Sequence, residues 1–189
     1  MILRMLGLSV VAAMATAGAT TVQAAPPSDA AACAAALDVV KADVEDHKSP
    51  RPWAVFGHAG SRDDGLTAAA LRKAMKKDPP SADLATKFVS QDARDWTWVC
   101  SDVIAYLSSN RIAHNQMDLT QTILDAPEIF SLSLPVLSAD GKEALADIAQ
   151  SRGAHARGGG GDMRGWVVHL RKDAQGRWRQ TDAFVNITG

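Results

Sequence analysis

Two stretches of sequence decide the fold, 166–171 (WVVHLR) and 178–187 (WRQTDAFVNI), joined through the turn residues DAQG at 173–176. The even-numbered side chains of the first stretch are Trp, Val and Leu, and they alternate with side chains that face the other way. That alternation has the period of a half-buried strand. Glycine in the connecting tetrapeptide favours a tight turn. The sequence therefore predicts a β-hairpin near the C-terminal end of the chain.

The residues upstream of this hairpin also follow a period of two. Apolar side chains alternate with Ser and Pro over 130–136 (FSLSLPV), and Pro135 inside that run favours an edge strand or a bulge. The segment 142–152 has two interpretations. Asp140 and Glu143 fit the capping box of a helix, whereas the Asp-Gly pair at the start of this segment is also a hairpin turn signal.

The first part of the sequence is typical of helices. Apolar side chains recur there at helical spacing, and prolines interrupt the pattern. The predicted helical regions run from Ser28 to before Pro50, from Thr67 to before Pro79, from Ser81 to about Asn110, and over 119–124. Pro, Gly, Ser and Asp predict a loop over 51–65. We expect an α+β domain at 25–189, helical over 28–125 and β-rich over 127–188, with about four antiparallel strands.

The N-terminal residues 1–24 have the three-part pattern of a secretory signal peptide. Arg4 is the only charge, residues 6–22 are rich in Leu, Val, Ala and Met, and Val22-Gln23-Ala24 places small residues where a signal peptidase cuts. A membrane anchor needs about 20 strongly apolar residues, and this run is diluted by Thr, Ser and Gly. The sequence predicts cleavage before Ala25, a periplasmic or secreted location, and no membrane span after processing.

Cys33 and Cys100 are the two cysteines of the chain. An even count in an exported protein favours a disulfide, with two buried free thiols as the alternative. Both cysteines lie on apolar helical stripes. A disulfide between them would therefore join the first predicted helix to the third.

The charge balance excludes the class of basic nucleic-acid-binding proteins. The chain has 20 Lys and Arg residues against 21 Asp and Glu residues, and loss of Arg4 with the leader makes the net charge −2. Binding to a phosphate backbone needs a basic face. We expect no nucleic-acid partner.

Three motifs in the last third of the chain resemble a pattern found in many uncharacterised exported bacterial proteins. They are PVLSADGK at 135–142, the glycines at 158–161, and GRW at 176–178 with Leu170 and Lys172 before it. The pattern in those proteins is PVFSxDGK, a glycine-rich loop and a hairpin ending in GKW. The resemblance implies consecutive antiparallel strands, and therefore favours a strand at 143–150. It implies no known activity.

No familiar catalytic or metal-binding motif is present in the sequence. The glycines at 158–161 lack the Lys-Ser/Thr of a phosphate loop, and neither HExxH nor GxSxG occurs. His58 with Asp63 and Asp64 is a loop group that could ligate a metal, although an Asx turn explains the two acids equally well. Cys100 with a distant histidine is a nucleophile only if no disulfide forms. We predict no catalytic residue, no metal site and no cofactor.

A polar loop at 153–165 is the candidate binding site. It combines glycines with His155, Arg157, Asp162 and Arg164, and predicted strands hold both its ends. Arginine there can pair with a carboxylate or phosphate through two parallel hydrogen bonds. Ordinary solvation of an exposed loop is the alternative.

A second candidate is the pair Trp96 and Trp98. Residues two apart on a helix diverge by about 200°, so one side chain is expected in the core and the other at the surface. An exposed tryptophan can anchor a partner or stack on a sugar.

These observations leave two classes of function. The first is a non-enzymatic binding or interaction module, of the inhibitor or immunity type, with a protein partner in the cell envelope. The second is a small periplasmic hydrolase with its site between the sheet and the helices. The absence of a catalytic motif favours the first. A polar pocket containing a perturbed histidine or carboxylate would favour the second.

Overall fold

The computed structural model describes residues 29–46, 53–60, 62, 65–114, 128–152 and 162–188. The predicted signal peptide and the short helix predicted at 119–124 lie outside these residues. Of the described helices, none is both long and apolar enough to cross a bilayer.

A six-stranded mixed sheet is the centre of the described structure. Its strands are β1 (Trp53–Gly57), β2 (Glu128–Leu132), β3 (Val136–Leu137), β4 (Glu143–Arg152), β5 (Asp162–Lys172) and β6 (Trp178–Thr188). Their order is β1-β2-β4-β5-β6, and the short β3 pairs with β4 off this path. β1 and β2 run parallel, and all other pairs are antiparallel. The predicted C-terminal hairpin is β5–β6.

The α+β class is confirmed, but the predicted number of strands is wrong. β1 lies inside the predicted loop 51–65, where the Pro, Gly, Ser and Asp residues around it outnumber its short apolar run WAVF. It pairs with β2, which follows much later in the chain. Pro135 separates β2 from β3, because proline has no N–H to donate to a strand ladder. The run 130–136 is therefore two short strands.

Segment 142–152 is a strand, which settles the two interpretations of its sequence. The carboxylate of Asp140 accepts a hydrogen bond from Ser138 Oγ at 2.7 Å and one from the Lys142 N–H at 3.1 Å. Gly141 has a φ of +66°, which glycine adopts without a steric penalty. These contacts form the turn between β3 and β4. Glu143 begins β4 and does not cap a helix.

Four helices are described: α1 (Asp29–Asp46), α2 (Ala68–Ala74), α3 (Ala82–Val89) and α4 (Ser101–Ser109). Thr67 caps α2, and its hydroxyl oxygen accepts the Ala70 N–H at 3.1 Å. The single apolar stripe predicted from Ser81 to Asn110 is divided between α3 and α4. Turn and bend residues separate them, and Asp95 in that stretch accepts hydrogen bonds from both the N–H and the hydroxyl of Thr97. Such local bonds compete with helix.

The sheet carries helices on both faces. Ala144, Ala146 and Ile148 of β4 belong to the apolar cluster shared with α1 and α4. The intervening Leu145 belongs to the cluster shared with α2 and α3. We call these sides the α1 face and the α3 face. The predicted disulfide is confirmed: Cys33 of α1 is bonded to Cys100, which caps α4, with their Cα atoms 5.2 Å apart.

Candidate functional site: a cavity under the first helix

A cavity of about 250 Å³ lies between the second half of α1 and the sheet. Its floor consists of apolar side chains that the α1 face presents from four different strands. Those side chains are Phe130 of β2, Ile148 of β4, Trp166 and Leu170 of β5, and Trp178 of β6. Aromatic and aliphatic walls of this kind are typical of small-ligand pockets.

Strand register explains why two tryptophans reach the same floor. Trp166 and Leu170 are on one side of β5, and Trp178 pairs with Lys172 two positions further along that strand. Successive even positions of a strand share one face, so the register aligns the two rings beneath α1. Trp178 is almost completely buried, and the Lys172 ammonium lies 5.0 Å from its ring centroid.

Carboxylates of α1 form the rim of the cavity. Asp38, Ala42 and Asp46 recur every four residues and therefore follow one side of the helix, and Asp43 lies beside them. The backbone N–H of Trp178 donates to Asp38 Oδ2 at 2.8 Å. That hydrogen bond fixes α1 to β6 and sets the height of the helix above the floor.

Two cations are described at this cavity: Arg179 is part of its lining, and the Lys172 ammonium lies against the Trp178 ring of its floor. Arg179 Nε donates to Asp173 Oδ2 at 3.3 Å, and Arg177 donates to the same oxygen at 3.1 Å. Asp173 thus already partners the Arg179 guanidinium. The rim is acidic on balance.

The end of α1 has an unfavourable arrangement of charge. Asp43, Glu45 and Asp46 crowd its C-terminal turns, and its last turn contains no basic residue. The last carbonyl groups of a helix carry partial negative charge, so acids there oppose the helix dipole. Residues that lower the stability of their own helix beside a cavity are typical of functional sites.

The α3 face carries a second cluster of polar side chains. Its central residue, His169, is closed off from solvent. The ring of His169 on β5 has no exposed surface and lies under the linker between α2 and α3 (residues 75–81). Its Nδ1–H donates to the carbonyl oxygen of Asp78 at 2.8 Å, which fixes the tautomer because a carbonyl only accepts. Its Nε2 lies 3.7 Å from Glu143 Oε2, beyond hydrogen-bond distance.

Arg171 joins the two carboxylates that flank this histidine. Its Nε donates to Asp78 Oδ2 at 2.7 Å, and its terminal nitrogen lies 3.0 Å from Glu143 Oε1. Burial alone raises the pKa of the Asp78 carboxyl. Hydrogen bonds from Thr181 and Arg171, with the electrostatic contributions of His169 and Arg171, outweigh that effect and hold the Asp78 pKa below its ordinary value.

Backbone donors complete this closed group. The N–H groups of Lys77 and Asp78 donate to Asp182 Oδ2 at 2.9 and 3.2 Å. The Ser81 N–H donates to Glu143 Oε2 at 3.0 Å. The group therefore attaches the 75–81 linker to the sheet, and no substrate reaches the His169 ring.

The described structure includes two of the four residues of the predicted polar loop. Asp162 and Arg164 are in β5, where Arg164 is exposed and stands between Gln150 of β4 and Thr188 of β6. His155 and Arg157 lie outside the described residues. The loop hypothesis stays a prediction.

The other sequence candidates have separate places. Asp63 and Asp64 lie outside the described residues, and within the part that is described no group of His, Cys, Asp and Glu could hold a metal ion. Cys100 is in the disulfide and has no free thiol. Trp96 is completely buried, whereas Trp98 is 88% exposed.

Sequence reasoning missed the cavity residues. Asp38 and Asp46 have the spacing of one helix side, and Trp166 and Trp178 both begin apolar alternations, so each signal was visible separately. Only the packing of α1 against β6 brings them together.

No family model matches the chain, and comparison with curated proteins and with solved structures finds no similar protein in either set. Function is therefore inferred from the geometry alone.

Proposed function

We propose that this chain is an exported, periplasmic or secreted, non-enzymatic binding module whose ligand site is the cavity under α1. The observation that carries the proposal is the cavity itself, with its aromatic floor and its polar rim. Ligand sites combine these two features, since apolar walls supply affinity and a few polar groups supply orientation. The disulfide between Cys33 and Cys100 supports an oxidising compartment.

The size of the cavity limits its occupant. Pockets for drug-sized ligands start at about 300 Å³. The volume of about 250 Å³ here suits a small molecule or one inserted side chain of a protein partner in the cell envelope. The inhibitor or immunity type of interaction module is one form that the second case would take.

The hydrolase alternative has weaker support. It requires a titratable pair open to a cavity, and the described histidine with two carboxylates beside it, His169, is sealed beneath the 75–81 linker. The polar cluster around His169 attaches that linker to the sheet, and this structural role is enough to explain it.

Two matched variants test the binding proposal. Ala42 lines the cavity and is exposed on α1, so Ala42→Trp should fill the cavity or cover it. Ala34 is also exposed on α1 and lies two turns earlier, outside the cavity lining, so Ala34→Trp is the control. A thermal-shift screen with small organic cations, anions and sugars should find a ligand for the wild type and for Ala34→Trp, but not for Ala42→Trp. Equal binding by Ala42→Trp, or no ligand for the wild type, would refute the proposal.

The export part of the proposal has its own test. The chain should be recovered from periplasm or culture medium with Ala25 as its first residue, because residues 22–24 (VQA) close the apolar run. N-terminal sequencing checks this, and a mature protein that retains Met1 would contradict it.

A further inference from the structure

We infer that Ser108 is a nucleophilic serine, activated by His114, which accepts the acyl group of an activated ester. Ser108 Oγ lies 3.4 Å from His114 Nε2. Neither residue lines the cavity under α1, so the inference is independent of the proposed binding site. Three features carry it: the hydrogen bonds of the ring, the backbone that holds the pair and the exposure of the hydroxyl.

The hydrogen bonds of the His114 ring decide which of its nitrogens can take a proton. Nδ1 lies 2.8 Å from the carbonyl oxygen of Ile112. Because a carbonyl oxygen only accepts, Nδ1 carries the proton of the neutral ring. Nε2 is then the acceptor, and it faces the Ser108 hydroxyl. A hydroxyl beside a base that a third group orients is the arrangement that activates a serine.

The backbone around the pair is held by the end of α4 and by the sheet. Arg111 has a φ of +58°, and the Ile112 N–H donates to the Leu107 carbonyl oxygen at 2.9 Å, which reverses the chain at the end of the helix. The next residue, Ala113, accepts the Val55 N–H of β1 at 2.8 Å. Two regular elements therefore fix the serine and the histidine relative to each other, as a reactive pair requires.

Two adjacent serines in the last turn of α4 differ in what their hydroxyls contact. Ser109 Oγ donates to the Ala105 carbonyl oxygen at 2.8 Å, the back-bond that a helical serine often makes. The Ser108 hydroxyl contacts the His114 ring instead, and the residue is exposed. An ester in solution can therefore reach Ser108 Oγ, and Ser109 is a matched control on the same turn.

The end of α4 also favours the charge that proton transfer creates. The last carbonyl groups of a helix carry partial negative charge, and the last turn of α4 contains no basic residue. A positive charge that develops on the His114 ring beside this turn is therefore stabilised by the helix.

Acyl transfer to this pair consists of two bond changes. Ser108 Oγ forms a bond to the carbonyl carbon of the ester, and the hydroxyl proton passes to His114 Nε2. The bond from that carbon to the alcohol oxygen of the ester then breaks, and the departing oxygen takes the proton from Nε2. The products are an acylated Ser108, a free alcohol and the neutral histidine.

Incubation with p-nitrophenyl acetate, followed by peptide mapping with mass spectrometry, tests the inference. Wild type should carry an acetyl group on Ser108, and Ser109→Ala should acquire it at the same rate. Ser108→Ala should show no acetyl group on that peptide. His114→Gln should slow the acetylation of Ser108 about a hundredfold, because a positioned general base contributes about 10²–10⁴-fold.

The pH profile separates a base from a merely structural contact. The wild-type rate should rise with pH and then level off, because only the neutral His114 ring accepts a proton. The rate of His114→Gln should rise throughout, since hydroxide is then the base that remains.

Each other outcome decides the matter. Equal acetylation of Ser108 and Ser109, a rate unchanged in His114→Gln, or no acetyl group on Ser108 would overturn the inference. None of these results concerns the cavity, so the proposed function would stand. Release of more than one equivalent of nitrophenol, lost in Ser108→Ala, would support the inference and overturn the non-enzymatic part of the proposed function.

Discussion

The two faces of the sheet use charged groups in opposite ways. On the α3 face, Arg171 is bonded to Asp78 and Glu143, and these bonds attach the linker 75–81 to the sheet. On the α1 face, Asp38 and its neighbouring acids surround an open cavity with an aromatic floor. The charges of the α3 face are paired with one another, whereas on the α1 face Asp38 accepts a backbone hydrogen bond and the other acids line an opening. The contrast is the one expected if the proposed ligand site lies on the α1 face.

The largest expected effect tests what holds the α1 face together. Replacing Cys33 or Cys100 by Ser opens a loop of 67 residues and should lower the free energy of unfolding by roughly 4 kcal/mol. Urea denaturation of each variant measures the loss, and thiol titration of the denatured wild type without reductant should find none. Two titratable thiols in the wild type would contradict the disulfide.

The next largest effect is expected on the α3 face. Arg62 has a side chain only 6% exposed, which packs over the ring of Phe88 and lies 2.9 Å from Asp147 Oδ2. Arg62→Met leaves the Asp147 carboxylate without its cation and should cost about 3 kcal/mol. Calorimetric or urea unfolding checks the value.

A matched exposed pair gives the control for Arg62. Arg94 and Asp29 are both more than half exposed, so Arg94→Met should cost less than about 1 kcal/mol. The double variant Arg62→Met with Asp147→Leu should recover part of the stability, because no unpaired charge then remains. Equal losses of unfolding free energy for Arg62→Met and Arg94→Met would show that a buried ion pair contributes no more than an exposed one.

Asp78 gives a smaller, pH-dependent effect. Its pKa is lowered in the folded state, so its contribution to stability is present above the unfolded pKa of about 3.9 and is lost as the pH falls through the folded pKa. Asp78→Asn should cost about 1 kcal/mol at pH 7, and this difference from the wild type should vanish as the pH is lowered below about 4. Urea unfolding from pH 7 to pH 2 measures it. A difference that is constant with pH would show that charge is not its source.

The smallest effect has the opposite sign. Asp46→Asn removes an acid from the last turn of α1 and should raise stability by about 0.5 kcal/mol. A loss of stability in Asp46→Asn would show that Asp46 stabilises the folded state. The contrast between the two faces would then not hold for this residue.

The sequence predicted the elements whose signals are local. The alternation in 166–171 and the turn at Gly176, which has a φ of +78°, are sufficient for the β5–β6 hairpin. Thr67 marks the start of α2, and the two cysteines indicate their own bond. In each case the physical cause lies within a few residues or in one distinctive pair.

The features that the sequence did not predict have two causes, pairing with a distant partner and a local turn inside an apolar stripe. β1 is a strand because β2 pairs with it, and α3 separates from α4 because Asp95 makes a local turn. The cavity depends on the register of β5 with β6 and on the position of α1 above them. No sequence pattern predicts the contact between Asp38 and Trp178.

That contact between Asp38 and the Trp178 N–H joins residues 140 positions apart. During synthesis the helix emerges early, and β6, which supplies its anchor and the last floor residue of the cavity, emerges among the last residues. The cavity therefore cannot assemble progressively from the N-terminus as the chain appears. Its formation is a late step of biogenesis, and long-range closure of this kind is slow. A chain truncated before Trp178 retains the rim acids and the floor residues of β2, β4 and β5, but lacks the strand that anchors α1 above them.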